Sequence, residues 1–455
     1  IGFSADTAGI DRCRERIAAA DETDLAEQVE ILRGCFGRSP DPSPQTDPGH
    51  GTATDDRLQT EAARLIEEID ASAPDRRWAS LAPSNEHERL TIHLGMSSLY
   101  VGQLGIAMLP AAAYRLTGDD QYREMAYAAV EPFQSSPIVE ESLPHSAGLG
   151  GTRGIGSLTY GFSVLGSLLD DEALHEEARR IGASLTDQMV SEDDIHDVIG
   201  GSAGTILGLL GAYDRTGDPE LLSAATTCGD HLRATQTDVG GWETIDAAGV
   251  AEQLGGEVGV EAPLYGFAHG ASGIAYALYR LADTADTPRH REAAHDAQQY
   301  VTDNYQPEVG NWQDHRRWTD TDTVDQWCYG RSSVGMASLG ASAYTDDAAV
   351  SRAVDYALDS APTDKITRTD HVCCGNAGRA EFFLSAEERL GRRTGDARAL
   401  LGGTMNRAEQ IGSYRTLDRA TRIRNPTLFR GLAGIGYTML RVVAPDQLPN
   451  LLLWE

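Results

Sequence analysis

Lysine is almost absent from this chain: Lys365 is the only one in 455 residues, and 69 Asp plus Glu stand against 38 Lys plus Arg for a formal net charge of -31. Such a surface repels nucleic-acid phosphates and anionic membranes, so neither is an expected partner. The carboxylates run along the whole chain and arginine has taken lysine's place. That composition fits a salt-adapted, halophilic protein, because concentrated salt screens charge repulsion within about 3 Å. The alternative, a surface recruiting a basic partner, finds little support because acidic runs cluster nowhere. Long apolar runs are missing too: no stretch of about 18 apolar residues occurs, so no membrane insertion is expected. The chain opens "IGFSADTAGI" rather than with a charged segment leading into an apolar one, and reads as cut from a longer polypeptide. Cysteine is scarce. Six in so long a chain (Cys13, Cys35, Cys228, Cys328, Cys373 and Cys374) make no disulfide framework and fit a reducing cytoplasm and a metal site better.

Glycine, by contrast, is abundant and patterned. A glycine pair followed by a small or apolar run occurs seven times: "YVGQLGIAML", "GLGGTRGIGSL", "VIGGSAGTILGLL", "GFAHGASGIAYAL", "WCYGRSSVGMASL", "VCCGNAGRAEFFL" and "FRGLAGIGYTML". Most carry G-x-x-G, with second glycines at Gly105, Gly154, Gly204, Gly273, Gly378 and Gly434, and Ser333 standing in that place in the fifth copy. Each then continues for about three turns with small or apolar residues on most sides, the pattern of a helix buried among others. "RLTGDDQY", "DRTGDPEL" and "RRTGDARAL" place Gly118, Gly217 and Gly395 where a helix end needs left-handed backbone, with Asp119, Asp218 and Asp396 positioned to cap the next helix. The helices that follow, such as "PELLSAATTCGDHL", are amphipathic and belong outside. Inner and outer helices alternating seven times predict an all-α fold, an α/α toroid: a double ring of seven helical hairpins with no exposed end repeat. The longer connections precede the G-x-x-G motifs, so the functional face is expected there.

Three parts are expected along the chain. Residues 1–36 form an N-terminal helical segment carrying "DLAEQVEILRGCF", 37–60 a flexible linker rich in Pro, Gly, Ser, Thr and Asp, and 61–455 the ring. Cys13 and Cys35 read as ordinary thiols.

Cys373 and Cys374 precede Gly375 at the start of one inner helix, and Cys328 precedes Gly330 at the start of the inner helix before it. Helix N-termini favour thiolates, and thiolates favour zinc. Three protein ligands would leave a fourth, open position, as in catalytic zinc sites. A structural zinc with His371 as fourth ligand, a redox pair and plain packing remain alternatives on spacing alone.

In this order, "GFAHG", "WCYG" and "CCGNAG", each opening a helix of a seven-unit repeat, resemble the lanthipeptide synthetase cyclases, the LanC-like family, over about residues 61 to 455. The double cysteine, where many relatives have Cys-His, is similar to the cyclase half of class II bifunctional synthetases, the LanM type. The helix pattern over residues 24–36 then resembles the end of the dehydratase region that would precede it. The resemblance implies zinc-dependent addition of cysteine thiols in a dehydrated precursor peptide to dehydroalanine or dehydrobutyrine, forming lanthionine or methyllanthionine rings. It assigns Cys328, Cys373 and Cys374 as zinc ligands, and as catalytic residues His269 as acid/base, Asp197 as the acidic residue at the mouth, and Tyr329, the neighbour of the first ligand, as a hydrogen-bond partner of the enolate. Each has a plainer reading: a histidine satisfied by backbone carbonyls, a helix cap, a pocket wall. An arginine that some relatives carry four residues before the first zinc cysteine is Val324 here, with Arg316, Arg317 and Arg331 as substitutes. The competing class is a non-catalytic peptide- or thiol-binding scaffold with structural zinc. Another toroid enzyme, such as a glycoside hydrolase, would need paired carboxylates, and Asp197, Glu381 and Asp325 are not evidently paired.

Overall fold

The computed structural model describes residues 51–73, 78–83, 90–94, 97–134, 148–244, 262–316, 323–362, 365–417 and 424–455, together with four isolated positions before residue 51. Most of the N-terminal helical segment, residues 37–50 of the expected linker, Cys13, Cys35 and Arg317 lie outside the described residues.

The inner helices are α2 (Gln103–Thr117), α4 (Ile155–Leu169), α7 (Ser202–Thr216), α9 (Ala271–Thr284), α11 (Arg331–Ala341), α13 (Asn376–Leu390) and α15 (Leu432–Val443). Apart from a short helix, α6 (Asp187–Ser191), the others lie outside: α1 (Asp55–Ser72), α3 (Asp120–Gln134), α5 (Glu172–Gly182), α8 (Pro219–Thr235), α10 (Pro288–Asp303), α12 (Ala348–Ser360) and α14 (Asp396–Ile411). Each inner helix packs on the next and α15 packs back on α2, so the ring closes. It is the α/α toroid that the repeat pattern predicts. A small antiparallel hairpin, β1 (Ala79–Pro83) with β2 (Leu90–Leu94), registers Ala79 opposite Leu94. It is fastened to the last inner loop through Asn425, whose Nδ2 donates to the Leu81 carbonyl at 2.9 Å.

Six hairpins are consecutive in the chain, but the seventh is assembled from its two ends, because α1 packs against α15. Residues 55–60, expected in the linker, are the first of that helix. Thr54 caps it by accepting from Arg57 N, and its apolar stripe of Leu58, Ala62, Leu65, Ile66 and Ile69 is buried.

The inner helices have no side-chain cap from their own N-terminal residue, although loop carboxylates serve two of them, Asp193 accepting from Ser202 N and Asp325 from Ser332 N. All seven begin after a glycine (102, 154, 201, 270, 330, 375 and 431). First-turn N–H groups donate instead to carbonyls of the loop just before the helix, as from Ala203 to His196 and from Ala377 to Asp370, both at 3.1 Å. The glycine three residues on lets that loop pass close: a Cβ at Gly273 would stand 1.9 Å from the Phe267 carbonyl oxygen. This register corrects the second copy, where Gly154 is the cap rather than the second glycine, and Ser157 occupies the later place. Ser157 and Ser333 act alike: Ser157 Oγ accepts from Leu99 N at 2.9 Å and Ser333 Oγ from Phe267 N at 2.6 Å, each stitching its helix to the preceding unit's loop.

The predicted helix ends hold at Gly118 (φ 72°) and Gly217 (φ 67°). Asp119 and Asp218 cap the next helices by accepting from Gln121 N and Glu220 N. The third copy differs. Gly391 ends α13, Gly395 precedes α14, and Asp396 is the first helical residue, ion-paired with Arg393 rather than capping.

The ring's axis is filled from the end opposite the glycine loops. Trp454 is fully buried and packs against Tyr160, Phe267 and Trp327.

Candidate metal centre and its mouth

At the N-terminal ends of the inner helices, backbone hydrogen bonds pass from each loop to the next. Tyr100 N donates to Thr152 O, Gly151 N to Val198 O, Val198 N to Ala268 O, Ala268 N to Cys328 O, Cys328 N to Cys373 O, and Cys373 N to Phe429 O, at 2.9–3.3 Å. The circle closes where Tyr100 stacks on Phe429 with ring centroids 5.2 Å apart. Every candidate site residue lies on this girdle or beside it. The two residues before each starting glycine occupy equivalent places: Tyr100, Cys328 and Cys373 at the first, His269, Tyr329, Cys374 and Arg430 at the second.

The sulfur atoms of Cys328, Cys373 and Cys374 all lie within 4.8 Å of one another, and among the described residues no histidine or carboxylate joins them as a ligand group. Sγ of Cys374 stands 3.4 Å from that of Cys373 and 3.6 Å from that of Cys328. Cys328 donates to Gln326 Oε1 at 3.2 Å. His371 is not a fourth ligand here: its Nδ1 accepts from Cys374 N at 3.2 Å, and burial together with the positive charge of Arg430 lowers its pKa to about 4, so the ring is neutral.

The three thiols are electrostatically unequal. Hydrogen bonding from Cys328 and Cys374, assisted by Arg430, holds the Cys373 thiol well below its ordinary pKa of 9.0, making it the preferred thiolate. Cys328 moves the opposite way, chiefly through its hydrogen bonds to Cys373 and Cys374. For Cys374 the bond with Cys328 acts downward, but the bond with Cys373 and burial outweigh it and push the thiol up to about 12. The expectation that helix termini favour thiolates at all three positions is therefore met by one sulfur, since a cluster of close thiols shares its first negative charge. A divalent cation removes that conflict by accepting all three as thiolates. Three soft sulfur donors, two of them adjacent in the chain, suit zinc.

His269 and Asp197 are brought together. Nδ1 of His269 stands 2.7 Å from Asp197 Oδ2, with the imidazole about a third exposed (32%) and the carboxylate 2% exposed. Asp197 Oδ1 accepts from Gly200 N at 2.8 Å, so the residue fixes the loop turn and orients the histidine at once. With the carboxylate accepting, the proton sits on Nδ1 and Nε2 presents its lone pair.

Tyr329 has its hydroxyl engaged within the protein. Its hydroxyl donates to Gln313 O at 3.2 Å and accepts from Tyr265 N at 3.4 Å, and the residue is fully buried. It walls the site, and Arg316 lies over its ring at 4.6 Å. Of the substitute arginines, Arg316 is held by both oxygens of Asp314, and Arg331 turns toward Ser360 O. The arginine that reaches the thiols is Arg430, which sequence reasoning missed: its Nε donates to Tyr100 OH at 3.0 Å, and another of its nitrogens lies 4.0 Å from Cys374 Sγ. Tyr100 OH in turn stands 3.2 Å from Cys373 Sγ. Aligning the seven units on their starting glycines puts Arg430 at the place of His269 and Cys374, and that alignment is the signal that finds it.

The carboxylates a hydrolase would need are not paired. Asp197 faces His269, Asp325 lies 3.3 Å from Arg379, and Glu381 lies 3.4 Å from Arg441.

Among solved structures, the chain is similar to nisin cyclase with a TM-score of 0.62 at 17% identity, covering 86% of this chain and 97% of that one. An unsaturated glucuronyl hydrolase from Streptococcus agalactiae (TM-score 0.44, 11% identity, 80% and 97% covered) and a cellobiose 2-epimerase from Bacillus thermoamylovorans (0.38, 12%, 67% and 86%) resemble it more loosely. No curated protein matches the sequence. The family profile described as "Lanthionine synthetase C-like protein" matches residues 95–453, a span that takes in all seven inner helices and every cysteine of the cluster, and the chain belongs to that family.

Proposed function

We propose that the protein is a zinc-dependent lanthipeptide cyclase. The observation that carries the reading is the juxtaposition, on one girdle of loops, of three convergent thiols without a fourth protein ligand among the described residues and a histidine oriented by a buried carboxylate. Cys328, Cys373 and Cys374 would hold the ion. When bound, zinc supplies the Lewis acidity that favours the thiolate form of a coordinated sulfur.

The chain's own residues account for the protons. In the reaction, a peptide cysteine sulfur bonds to the β-carbon of dehydroalanine or dehydrobutyrine, the double-bond electrons move into an enolate, and the α-carbon takes a proton. The thiol proton lost at the start equals the one gained at the end, so the product is an isomer of the substrate. Nε2 of His269 takes and returns that proton, while Asp197 holds the ring in the required tautomer and steadies its charged form. Tyr329 shapes the wall. The substrate is a dehydrated precursor peptide, and the double cysteine favours a class II (LanM-type) context in which a dehydratase precedes the cyclase in the same polypeptide. A cytoplasmic, salt-adapted setting follows from the thiols and the acidic surface.

The test uses purified protein, a dehydrated peptide carrying free cysteines, and thiol labelling, because ring closure leaves mass unchanged. Labels per peptide should fall with time in the wild type, and His269→Asn should slow that fall by about 10² to 10⁴. Equal rates with His269→Asn, or closure no faster than without protein, would contradict the proposal and favour a binding scaffold.

A further inference from the structure

We propose that Arg430 is the counter-charge that allows an all-sulfur site to accept a fourth, anionic sulfur; the inference rests on reading Cys328, Cys373 and Cys374 as the zinc ligands. Three thiolates around a divalent cation sum to one negative charge, and a guest thiolate makes it two. Cys328 and Cys373 are 5% and 3% exposed and Cys374 is half-buried, so only part of that charge is met by water. Concentrating negative charge in such a place is unfavourable without a nearby cation.

Arg430 is the cation in place. Four buried arginines have carboxylate partners: Arg280 pairs with Asp214, Arg379 with Asp325, Arg407 with Asp370 and Arg441 with Glu388. Arg316, a second guanidinium near the cluster, has its charge met by Asp314. No carboxylate among the described residues pairs with Arg430. The anions it faces are sulfurs, Cys374 directly at 4.0 Å and Cys373 through the Tyr100 hydroxyl.

Its position is also built. Asn425 donates to the Arg430 carbonyl at 3.0 Å and clamps that loop to the β-hairpin. Phe429 stacks on Tyr100, and Arg153 covers the Tyr100 ring at 5.0 Å. The guanidinium is therefore held against the sulfur cluster before any guest arrives. It acts on the reacting sulfur through charge, not as a proton donor. Where a histidine replaces the third thiolate, the site carries one less negative charge and has correspondingly less need of such a partner. Cys374 and Arg430 thus work as one unit, a thiolate and the cation that offsets it.

The experiment titrates cobalt-substituted full-length protein with N-acetylcysteine amide and reads the thiolate-to-cobalt absorption band. Wild type should bind the thiol saturably. Arg430→Met should bind it at least tenfold more weakly, and Arg430→Lys should stay within about threefold of wild type. In the Cys374→His background, adding Arg430→Met should change thiol binding by less than about threefold, which a merely structural role would not produce. Arg430→Met equal to wild type, or Arg430→Lys as weak as Arg430→Met, would overturn the inference. If Arg430→Met does not hold cobalt, the lysine variant decides by the same criterion. A wild-type protein that holds cobalt but gives no thiol response would overturn the open-site reading together with the inference, whereas a wild-type response unchanged by the substitutions overturns the inference alone.

Discussion

The two ends of the ring are built from the same kinds of residue and use them in opposite ways. At the end away from the glycine loops, a cavity of about 450 Å³ is lined by Arg115, Arg215, Arg389 and Arg441 with Glu388 and Glu455. There, Arg215 donates to the Glu455 carbonyl, Arg389 pairs with the Glu455 side chain, and Arg441 pairs with Glu388. Arg280 reaches from the core to the Trp454 carbonyl at 2.9 Å. Arg215, Arg280, Arg389 and Arg441 are thus satisfied within the protein, and together they lock Leu451–Trp454 into the axis. At the mouth, His269 is bonded to Asp197 through Nδ1 and Arg430 faces sulfur. Buried polar groups are normally paired, so a polar group whose partner is a reactive atom or an incoming ligand marks chemistry rather than folding.

That contrast predicts separable effects. The largest comes from the mouth: Cys373→Ala with Cys374→Ala should abolish stoichiometric zinc and reduce cyclisation to the uncatalysed rate, while leaving the helical circular dichroism intact, because the axis is filled from the other end. Metal analysis beside thermal unfolding checks this, and joint loss of fold and metal would break the distinction. At the other end, Trp454→Ala should cost about 3–5 kcal/mol of stability by opening a cavity among Tyr160, Phe267 and Trp327. The molecules that remain folded should bind zinc in the same ratio as wild type.

Asp197→Asn is a smaller test within the mouth. The amide still fills the space and can accept one hydrogen bond, but no longer steadies a charged His269, so kcat should fall by about tenfold or more with little change in KM. An equal loss in KM alone would make Asp197 a substrate contact. The smallest effect concerns the hairpin assembled from the chain ends. Burial raises the Glu61 carboxyl, but hydrogen bonds from Arg64 and Tyr414 outweigh it and hold the group below its ordinary 4.5. A depressed carboxylate stabilises the fold fully above its unfolded pKa and loses that contribution as pH falls through the folded value. Because the ion pair is partly exposed, less than about 1 kcal/mol is involved. Hydrogen exchange should therefore show α1 loosening below about pH 4.5 before the consecutive hairpins do.

What could be read from the sequence was what each unit carries within itself. Glycine before every inner helix, the three cysteines, and His269 with Asp197 all sit in short motifs whose backbone geometry is local. What could not be read depends on closure of the ring. The pairing of α1 with α15, the approach of Arg430 and Tyr100 to the cysteines, and the seating of Trp454 bring together residues of different units, 56 to 303 positions apart in the last two cases. Tyr329 shows the limit in the other direction: its place beside the first cysteine is local and was readable, but its hydroxyl is engaged by Gln313 and Tyr265, which only the folded loops bring near. Ser333 lies between these cases. It reads as a lost glycine in sequence, and in the fold its hydroxyl is what joins the His269 loop to the Cys328 helix.

The central claim is that three sulfurs from two successive units hold an ion with one corner left for a guest. X-ray absorption at the zinc edge of the purified protein, recorded with and without a peptide thiol, tests it most directly. The account predicts three sulfur neighbours and one light atom, becoming four sulfurs when the thiol is added. A shell of four protein ligands that the thiol leaves unchanged, or zinc bound without sulfur, would contradict it.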